Sequence, residues 1–450
     1  MASLTTEHKY DRLKEVKQFD ESQIGVKGLL DTGITTIPPF FHQPPENLPS
    51  PQPKNQPRLT VPVIDLSQDR STVVDEIRGA SSILGFFQIV NHSISVTSIE
   101  SVLKDMKNFY EQTTEYKMKF YNREVEKGVT YSTNMDLYKS KAASWRDTIQ
   151  VWLSPMEPAW KMVPEMCRKA LADWDKAITG LVEELMSILC EGLGIKRDKL
   201  KEWSCLEGRL SISHYYPQCP QPELTVGLTA HTDPTVLTVL VQNEIGGLLQ
   251  VKCGEQWVEV EPVPGAIVVN IGDLLQMMSN DIYRSVEHRV LANNVEGARV
   301  SVAHLFNPSN REKLFGPFPE LISAEKPAVY HEFLHEDFMR RVLANNIETA
   351  RVSISAFFSI QATKRGDIYG PFLELKECCK ESPVTSHDRC PAFGHLVASS
   401  VSLFSTTNIL CSLQNLENCI CNIYKESTLV KNSDKYFRWR FNLLQKNVSM

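Results

Sequence analysis

The sequence lacks long apolar runs and paired cysteine motifs, and both absences narrow the classes of protein that it can encode. No stretch approaches the roughly 18 apolar residues that cross a bilayer. The first 20 residues are polar and charged, without the apolar core of a secretory signal. The eleven cysteines show none of the C-x-x-C pairs of a zinc ribbon. We therefore expect a cytoplasmic protein whose thiols stay reduced.

An excess of charge of one sign is also missing. The net charge is only −6 over 450 residues, which gives no indication of a nucleic-acid or acidic-membrane partner. With 42% hydrophobic and 23% charged residues, the composition is that of an ordinary globular protein.

The first 200 residues show mainly helical periodicity. A proline-rich stretch, Pro38 to Pro57, cannot form a helix interior, and we predict that it lies extended over the surface. Two short strand-like runs, 61–67 and 85–94, interrupt the helical pattern. Apolar residues recur at helical spacing in the segments 7–30, 71–89, 96–118 and 165–192.

From residue 209 the pattern changes to short runs rich in valine, isoleucine and leucine, separated by Gly, Pro, Asn and Asp. Short strands at even spacing are typical of a sandwich or jelly roll. We therefore predict a mainly β protein with flanking helices, whose core is a double-stranded β-helix (jelly roll) with a helical N-terminal part. The predicted regions are 1–60 (helix and proline-rich segment), 61–200 (helical region), 201–336 (jelly-roll core) and 337–450 (atypical tail).

A metal site is predicted from His231-Thr-Asp233 and His288. Residues i and i+2 of a strand point to the same face, so His231 and Asp233 can reach one ion. His288 stands at the start of another strand-like run and supplies a third ligand. Two imidazoles and one carboxylate form the facial triad of Fe(II) oxygenases, which leaves positions for a co-substrate and O2.

A second motif of this type, His335-Glu-Asp337, lies in a run with helical character. Residues i and i+2 of a helix face apart, so we expect this motif not to bind the metal.

Arg299-Val-Ser301, eleven residues after His288, predicts a carboxylate-binding pair. A guanidinium fork matches a carboxylate, and a hydroxyl on the same strand face adds a third hydrogen bond. Ala303 and Leu305 continue that face and are candidate pocket residues, whereas His304 has the opposite parity. Tyr131 and Trp145 are two further candidate pocket residues.

Several motifs together resemble the plant 2-oxoglutarate- and Fe(II)-dependent dioxygenases over about residues 5–335. They are VPVIDLS, GFFQIVNH, GLTAHTDPTVLTVLVQNEIGGLLQV, VVNIGDLLQMMSND, SVEHRVLAN and ARVSVAHLFNP. The opening segment, YDRLKEVKQFDESQIGVKGLLDTGITTIPPFF, resembles the subgroup called ACC oxidase homologues.

The resemblance implies iron ligands at His231, Asp233 and His288, and binding of the 2-oxoglutarate C5 carboxylate by Arg299 and Ser301 together with Tyr216, which lies in SHYYPQCP. It also implies Fe(II), 2-oxoglutarate, O2 and ascorbate as reductant. The expected protein is a monomer that hydroxylates or desaturates a small specialised metabolite and releases succinate and CO2. Many relatives carry Asn at position 214, where this chain has His214.

Two alternatives remain open. One is ACC oxidation to ethylene with ascorbate, although the basic C-terminal motif of relatives with that activity is not found in this tail. The other is a jelly-roll protein that is inactive or unstable because of its altered C-terminus.

The C-terminus departs from the family pattern because one segment occurs twice. Residues 289–306 recur at 341–358 with 12 of 18 positions identical, and Arg340 stands where the second copy would need a histidine. We expect the first copy to occupy the sheet, and we hypothesise that residues 340–450 come from a fused segment and pack poorly. Ser93 replaces a family glycine, at a cost of about 1 kcal/mol if the turn needs positive φ.

Overall fold

The computed structural model describes residues 10–49, 59–310 and 312–344, all of which belong to one compact unit, Met1–Leu375. The second copy of the repeat (341–358) and the predicted tail (337–450) are described only as far as residue 344, where they form the end of the helix His335–Ala344. The predictions about the remainder of both segments lie outside the described residues.

The helices of the described residues concentrate before residue 205. Side chains cap four of them; for example, Asp69 accepts a hydrogen bond from the Thr72 amide (3.1 Å) and Ser95 from the Ser98 amide (3.2 Å). The helices are α1 (Arg12–Ser22), α2 (Gly25–Asp31), α3 (Arg70–Ile83), α4 (Val96–Tyr110), α5 (Thr114–Met118), α6 (Glu165–Leu193), α7 (Lys199–Glu202), α8 (Asp273–Met278) and α9 (His335–Ala344).

The strands of the described residues form two main sheets and one small hairpin-like pair. They are β1 (Val63–Asp65), β2 (Phe86–Val90), β3 (Val129–Ser132), β4 (Asp147–Ser154), β5 (Gly208–Tyr216), β6 (Val226–His231), β7 (Leu237–Gln242), β8 (Leu249–Cys253), β9 (Gln256–Glu259), β10 (Ile267–Ile271), β11 (His288–Leu291), β12 (Arg299–Asn307), β13 (Leu314–Phe315) and β14 (Phe333–Leu334).

The major sheet has the order β1-β2-β10-β7-β12-β5-β4-β3, and the minor sheet has the order β6-β11-β8-β9. Their non-sequential neighbours give the crossed connectivity of a jelly roll, which confirms the predicted fold class. Strand β12 shows how the layers are built. Its residues Val300, Val302 and Phe306 join a core cluster with α6. Arg299, Ser301, Ala303 and Leu305 face the opposite way, towards the cavity between the sheets.

The predicted helical region contributes more strand than expected. Strands β3 and β4 pair with each other, and β4 pairs with β5, so this region extends the major sheet. One of the apolar runs after residue 209, AIVVNIGDLLQMM (266–278), is a strand only as far as Ile271, after which α8 begins. The segment 7–30 forms two helices because Gln23 adopts a left-handed conformation (φ 54°) between them.

The prediction that the proline-rich stretch lies over the surface is wrong for its first part. Phe40 and Phe41 are 4% and 0% exposed, and Phe41 packs edge-on against Trp145 with ring centroids 4.9 Å apart. Burial of two aromatic rings holds this part of the chain in the interior. Trp145 is therefore a core residue here. Residues 50–58 lie outside the described ranges.

The turn after β2 does not place the expected strain on Ser93. The left-handed residue is Asn91, with φ 53°, and its side-chain amide donates to the Asp65 carboxylate at 2.8 Å. Asparagine tolerates this conformation better than most residues. The replacement of glycine by Ser93 is therefore not penalised by positive φ.

A fully buried carboxylate on β4 joins the N-terminal helices to the major sheet. Asp147 accepts hydrogen bonds from the backbone amides of Val26 (2.8 Å) and Lys27 (3.0 Å), at the start of α2, and from the Thr133 hydroxyl (3.1 Å). Gly25 precedes these amides with φ +68°, and a Cβ there would lie 2.7 Å from an Asp147 oxygen. The contact therefore requires glycine at this position.

Candidate metal centre

The predicted metal ligands come from adjacent strands of the minor sheet. His231 ends β6 and His288 begins β11, and the two residues are directly opposite in the antiparallel pair. Asp233 lies two residues beyond the end of β6, so the strand-parity argument does not describe its backbone. The turn after the strand nevertheless brings its carboxylate back towards both imidazoles.

The three side chains converge closely enough to share one ion. The Nε2 atoms of His231 and His288 are each 3.7 Å from Asp233 Oδ1. The three ligand atoms, one from each residue, all lie within 4.8 Å of one another. Ligand bonds of about 2 Å to a central ion are compatible with such separations. This donor set matches an Fe(II) site with open positions.

Neighbouring groups orient each of the three side chains. His231 Nδ1 lies 2.9 Å from the Thr229 carbonyl oxygen, and His288 Nδ1 lies 3.3 Å from that of Val286. These contacts favour protonated Nδ1 atoms, which leaves the Nε2 lone pairs for a metal.

Asp233 is held on its other oxygen. Oδ2 accepts hydrogen bonds from the Thr238 hydroxyl at 2.6 Å and from the Asn270 side-chain amide at 2.8 Å. Oδ1 consequently faces the two imidazoles. Thr238 and Asn270 are functional candidates that sequence reasoning missed. Their only local signal is a polar side chain within an apolar strand.

Burial and mutual charge set the protonation of the site. Burial, together with the neighbouring His288, lowers the pKa of His231 to about 4. Burial alone would raise the pKa of Asp233, but the two imidazoles and its two hydrogen-bond donors together lower it. The metal-free site therefore holds a carboxylate and an uncharged His231 imidazole at neutral pH, the states that bind a cation.

The predicted carboxylate-binding residues lie on the major sheet, facing the same cavity. Arg299 begins β12, stands opposite Tyr216 at the end of β5, and is 1% exposed. Its guanidinium carbon is 5.0 Å from the centre of the Tyr216 ring. Arg299 Nη1 and Ser301 Oγ are buried and have no hydrogen-bond partner among the described residues. A buried guanidinium and a buried hydroxyl, each with an unpaired donor, are suited to bind the carboxylate of a ligand.

The cavity between the sheets has a volume of about 90 Å³. Ala303 and Leu305 line it, as their parity predicts. His214 lines it as well, and its Nδ1 lies 2.9 Å from the Thr148 hydroxyl. The full lining comprises Phe86, Ile212, His214, Tyr216, Leu228, His231, Asp233, Thr238, Leu240, Leu249, Val268, Asn270, His288, Val290, Arg299, Ser301, Ala303 and Leu305.

Tyr131 does not line this cavity, in contrast to the pocket prediction. It is 1% exposed and packs in an aromatic cluster, with its ring 5.0 Å from that of Phe109 and 5.8 Å from that of Tyr121. Packing between α4 and the outer strands of the major sheet therefore accounts for its burial.

The second motif occupies a helix, as its sequence indicates. His335 is the first residue of α9 and is buried, whereas Asp337 is exposed and pairs with Arg340. His304 also stays away from the metal ligands. It is fully buried beside Trp174, on the helix-packed side of β12.

Comparison with known proteins agrees with this architecture. The model of the 2OG-Fe(II) oxygenase superfamily matches residues 208–308, and the model described as non-haem dioxygenase in morphine synthesis N-terminal matches residues 61–166. The Arabidopsis thaliana 1-aminocyclopropane-1-carboxylate oxidase homolog 1 is 43% identical over 330 residues, which cover 72% of this chain and 90% of that protein. A Solanum lycopersicum homolog is also 43% identical and covers 73% and 92%, respectively.

A crystal structure of JOX2 in complex with 2OG, Fe and JA is similar, with a TM-score of 0.65. It has 26% sequence identity and covers 75% of this chain and 98% of that chain. The present chain belongs to the 2OG-Fe(II) oxygenase superfamily, among the 1-aminocyclopropane-1-carboxylate oxidase homologues. It is a dioxygenase whose cofactors are Fe(II) and 2-oxoglutarate. None of the described helices combines the length and the apolar character that crossing a bilayer requires.

Proposed function

We propose that this protein oxidises a small organic molecule, by hydroxylation or desaturation, with iron held by His231, Asp233 and His288. The observation that carries the proposal is the convergence of two imidazole Nε2 atoms and one carboxylate oxygen beside a buried guanidinium with an unpaired donor. Bound Fe(II) would supply O2 activation, coupled to conversion of 2-oxoglutarate to succinate and CO2.

Other residues of the chain would bind the co-substrate and exclude water from the site. Arg299 and Ser301 would bind the C5 carboxylate of 2-oxoglutarate, with the Tyr216 hydroxyl as a third contact. The keto-acid end of the co-substrate would then be free to bind the iron held by His231, Asp233 and His288. Apolar residues such as Leu228, Leu249 and Val268 exclude water from the same cavity. A dry site strengthens each charge interaction within it.

The substrate would be a specialised metabolite of the plant type that the resemblance implies, and the protein would act as a cytoplasmic monomer. The cavity is largely apolar outside the polar groups assigned above, which suits the oxidation of C–H bonds in an organic molecule.

Purified full-length protein, loaded with Fe(II) and supplied with ascorbate, should convert 2-oxoglutarate to succinate. The rate should rise when plant metabolite fractions contain the substrate, and mass spectrometry of those fractions should show a gain of one oxygen or a loss of two hydrogens. Ethylene formation from 1-aminocyclopropane-1-carboxylate without 2-oxoglutarate would instead support the ethylene-forming alternative. Iron-loaded protein that forms neither succinate nor ethylene would support a non-catalytic role.

A further inference from the structure

Arg299, the arginine that lines the cavity, has a neutral side chain as its hydrogen-bond partner. Arg299 donates from Nε (3.1 Å) and from Nη2 (2.6 Å) to the same oxygen, Oε1 of Gln242. Gln242 ends β7, and its backbone lies opposite Ser301 in the β7–β12 pair. A neutral amide on the neighbouring strand thus fixes one edge of the guanidinium, the one formed by Nε and Nη2, and Nη1 is left without a partner among the described residues.

Two partly buried arginines of the described residues are paired with carboxylates. Arg209 binds both oxygens of Asp175, at 2.9 and 3.2 Å, and Arg123 binds Asp20 at 2.8 Å. No ion pair connects Arg299 to a carboxylate within the described ranges. A buried charge without an acidic partner is expensive. Arg289 is also buried beside an amide, but it does not line the cavity, whereas Arg299 lines it and has an unpaired Nη1.

We propose that Gln242 is a positioning residue that orients Arg299 while leaving its charge uncompensated for the co-substrate carboxylate. The inference rests on the proposed function of Arg299. An amide oxygen accepts two hydrogen bonds from the fork but adds no charge. A carboxylate at the same place would neutralise the guanidinium and repel the incoming anion. The structure thus keeps the positive charge for a ligand.

The decisive variant is Gln242→Glu, which changes the charge with almost no change of shape. Calorimetric titration of the full-length, Fe(II)-loaded protein under anaerobic conditions should show 2-oxoglutarate binding that is weaker by about 100-fold or more, since juxtaposed like charges cost several kcal/mol. Binding of 2-oxobutyrate, which has the keto acid but no distal carboxylate, should change by less than about threefold. The variant therefore loses its preference for the dicarboxylate.

Thermal unfolding gives a readout that does not depend on activity. Without ligand, Gln242→Glu should unfold at the same temperature as the unmodified protein or higher, because the new carboxylate pairs with Arg299. A merely structural glutamine would give the opposite pattern, a lower melting temperature with unchanged preference between the two keto acids. That pattern would overturn the proposal.

The chain offers a matched control in the minor sheet. Gln250 accepts a hydrogen bond from Arg289 Nε at 3.0 Å, and both residues are buried, but neither lines the cavity. Gln250→Glu should leave the affinity for both keto acids unchanged. An equal loss of 2-oxoglutarate binding in the two variants would contradict a specific role of Gln242. Failure of the unmodified protein to bind 2-oxoglutarate would instead refute the proposed function itself.

Discussion

Two His-x-Asp motifs of this chain share a sequence pattern and differ in almost every structural respect. His231 ends a strand and Asp233 follows it, and the His231 Nε2 and Asp233 Oδ1 atoms are 3.7 Å apart. His335 and Asp337 lie in the first turn of α9, where the imidazole is buried and the carboxylate is exposed. The backbone, rather than the residue types, decides which pair can bind a metal.

The residues that surround the two motifs also differ. Thr238 and Asn270, both buried, donate hydrogen bonds that orient the Asp233 carboxylate. The third proposed ligand, His288, lies opposite His231 on the next strand. Asp337 forms a surface ion pair with Arg340, which adds little free energy. A metal site therefore requires neighbours that fix each ligand, in addition to the ligands themselves.

The largest effect is expected at the ligand carboxylate. Asp233→Ala should abolish iron binding and succinate formation, because two imidazoles alone leave the ion without its anionic ligand. We expect a loss of more than about 100-fold in metal affinity, beyond that seen when only a supporting residue is changed. Iron content after gel filtration and succinate yield would measure it. If Asp233→Ala still bound iron and still formed succinate, the ligand assignment would be wrong.

A smaller loss of iron affinity is expected when a hydrogen bond that orients the Asp233 carboxylate is removed. Thr238→Val removes one donor to Asp233 Oδ2 with little change of volume, and should weaken Fe(II) binding by about 10- to 100-fold. Thr225→Val is the matched control, because Thr225 is buried and its hydroxyl has no hydrogen-bond partner among the described residues. Metal titration of both variants should separate them, and equal affinities would argue against a role of Thr238.

The pH at which metal is lost tests the burial of the site. Protons compete with iron for the imidazoles, and the pKa of His231 is lowered to about 4. A lowered pKa keeps the His231 imidazole uncharged to lower pH, so protonation of His231 should displace metal only as the pH falls towards 4. Metal content and circular dichroism, measured in parallel, would distinguish dissociation from unfolding. Metal loss centred near pH 6.5 would indicate an imidazole that is not shielded by burial.

The smallest effects are expected at the helical motif. His335→Ala should leave iron binding and turnover unchanged, although loss of a buried side chain should lower stability by about 1–3 kcal/mol. Asp337→Ala should change stability by less than about 0.5 kcal/mol, because only an exposed ion pair is lost. Denaturant unfolding and iron content would test both. Loss of iron in either variant would remove the distinction between the two motifs.

Local periodicity predicts much of this fold because the pattern of burial repeats along each element. The long helix predicted at 165–192 is observed as Glu165–Leu193, and the short strands after residue 208 follow their apolar runs. Strand β4 carries a similar signal, since Ile149, Val151 and Leu153 alternate towards the core. The helical interpretation of 61–200 gives this alternation too little weight.

The remaining features depend on contacts between distant segments. The contact between Gln242 and Arg299 cannot be read from the sequence, because it depends on the register of β7 and β12. Asp233 reaches its partners from a turn, which strand parity cannot describe. Tyr131 is a pocket candidate by type but a core residue by position, because α4 covers it. Such relations are tertiary, and no local window of sequence contains them.

The carboxylate of Asp147 has a practical consequence for anyone who shortens this protein. The family model begins at residue 61, which invites a truncation just before it. Such a cut would delete the two amides that donate to a fully buried carboxyl group on β4, the strand next to the one that carries His214 and Tyr216. An expression vector for the protein should therefore start upstream of Arg12, so that α1 and α2 are kept and the Asp147 side chain keeps its hydrogen-bond donors.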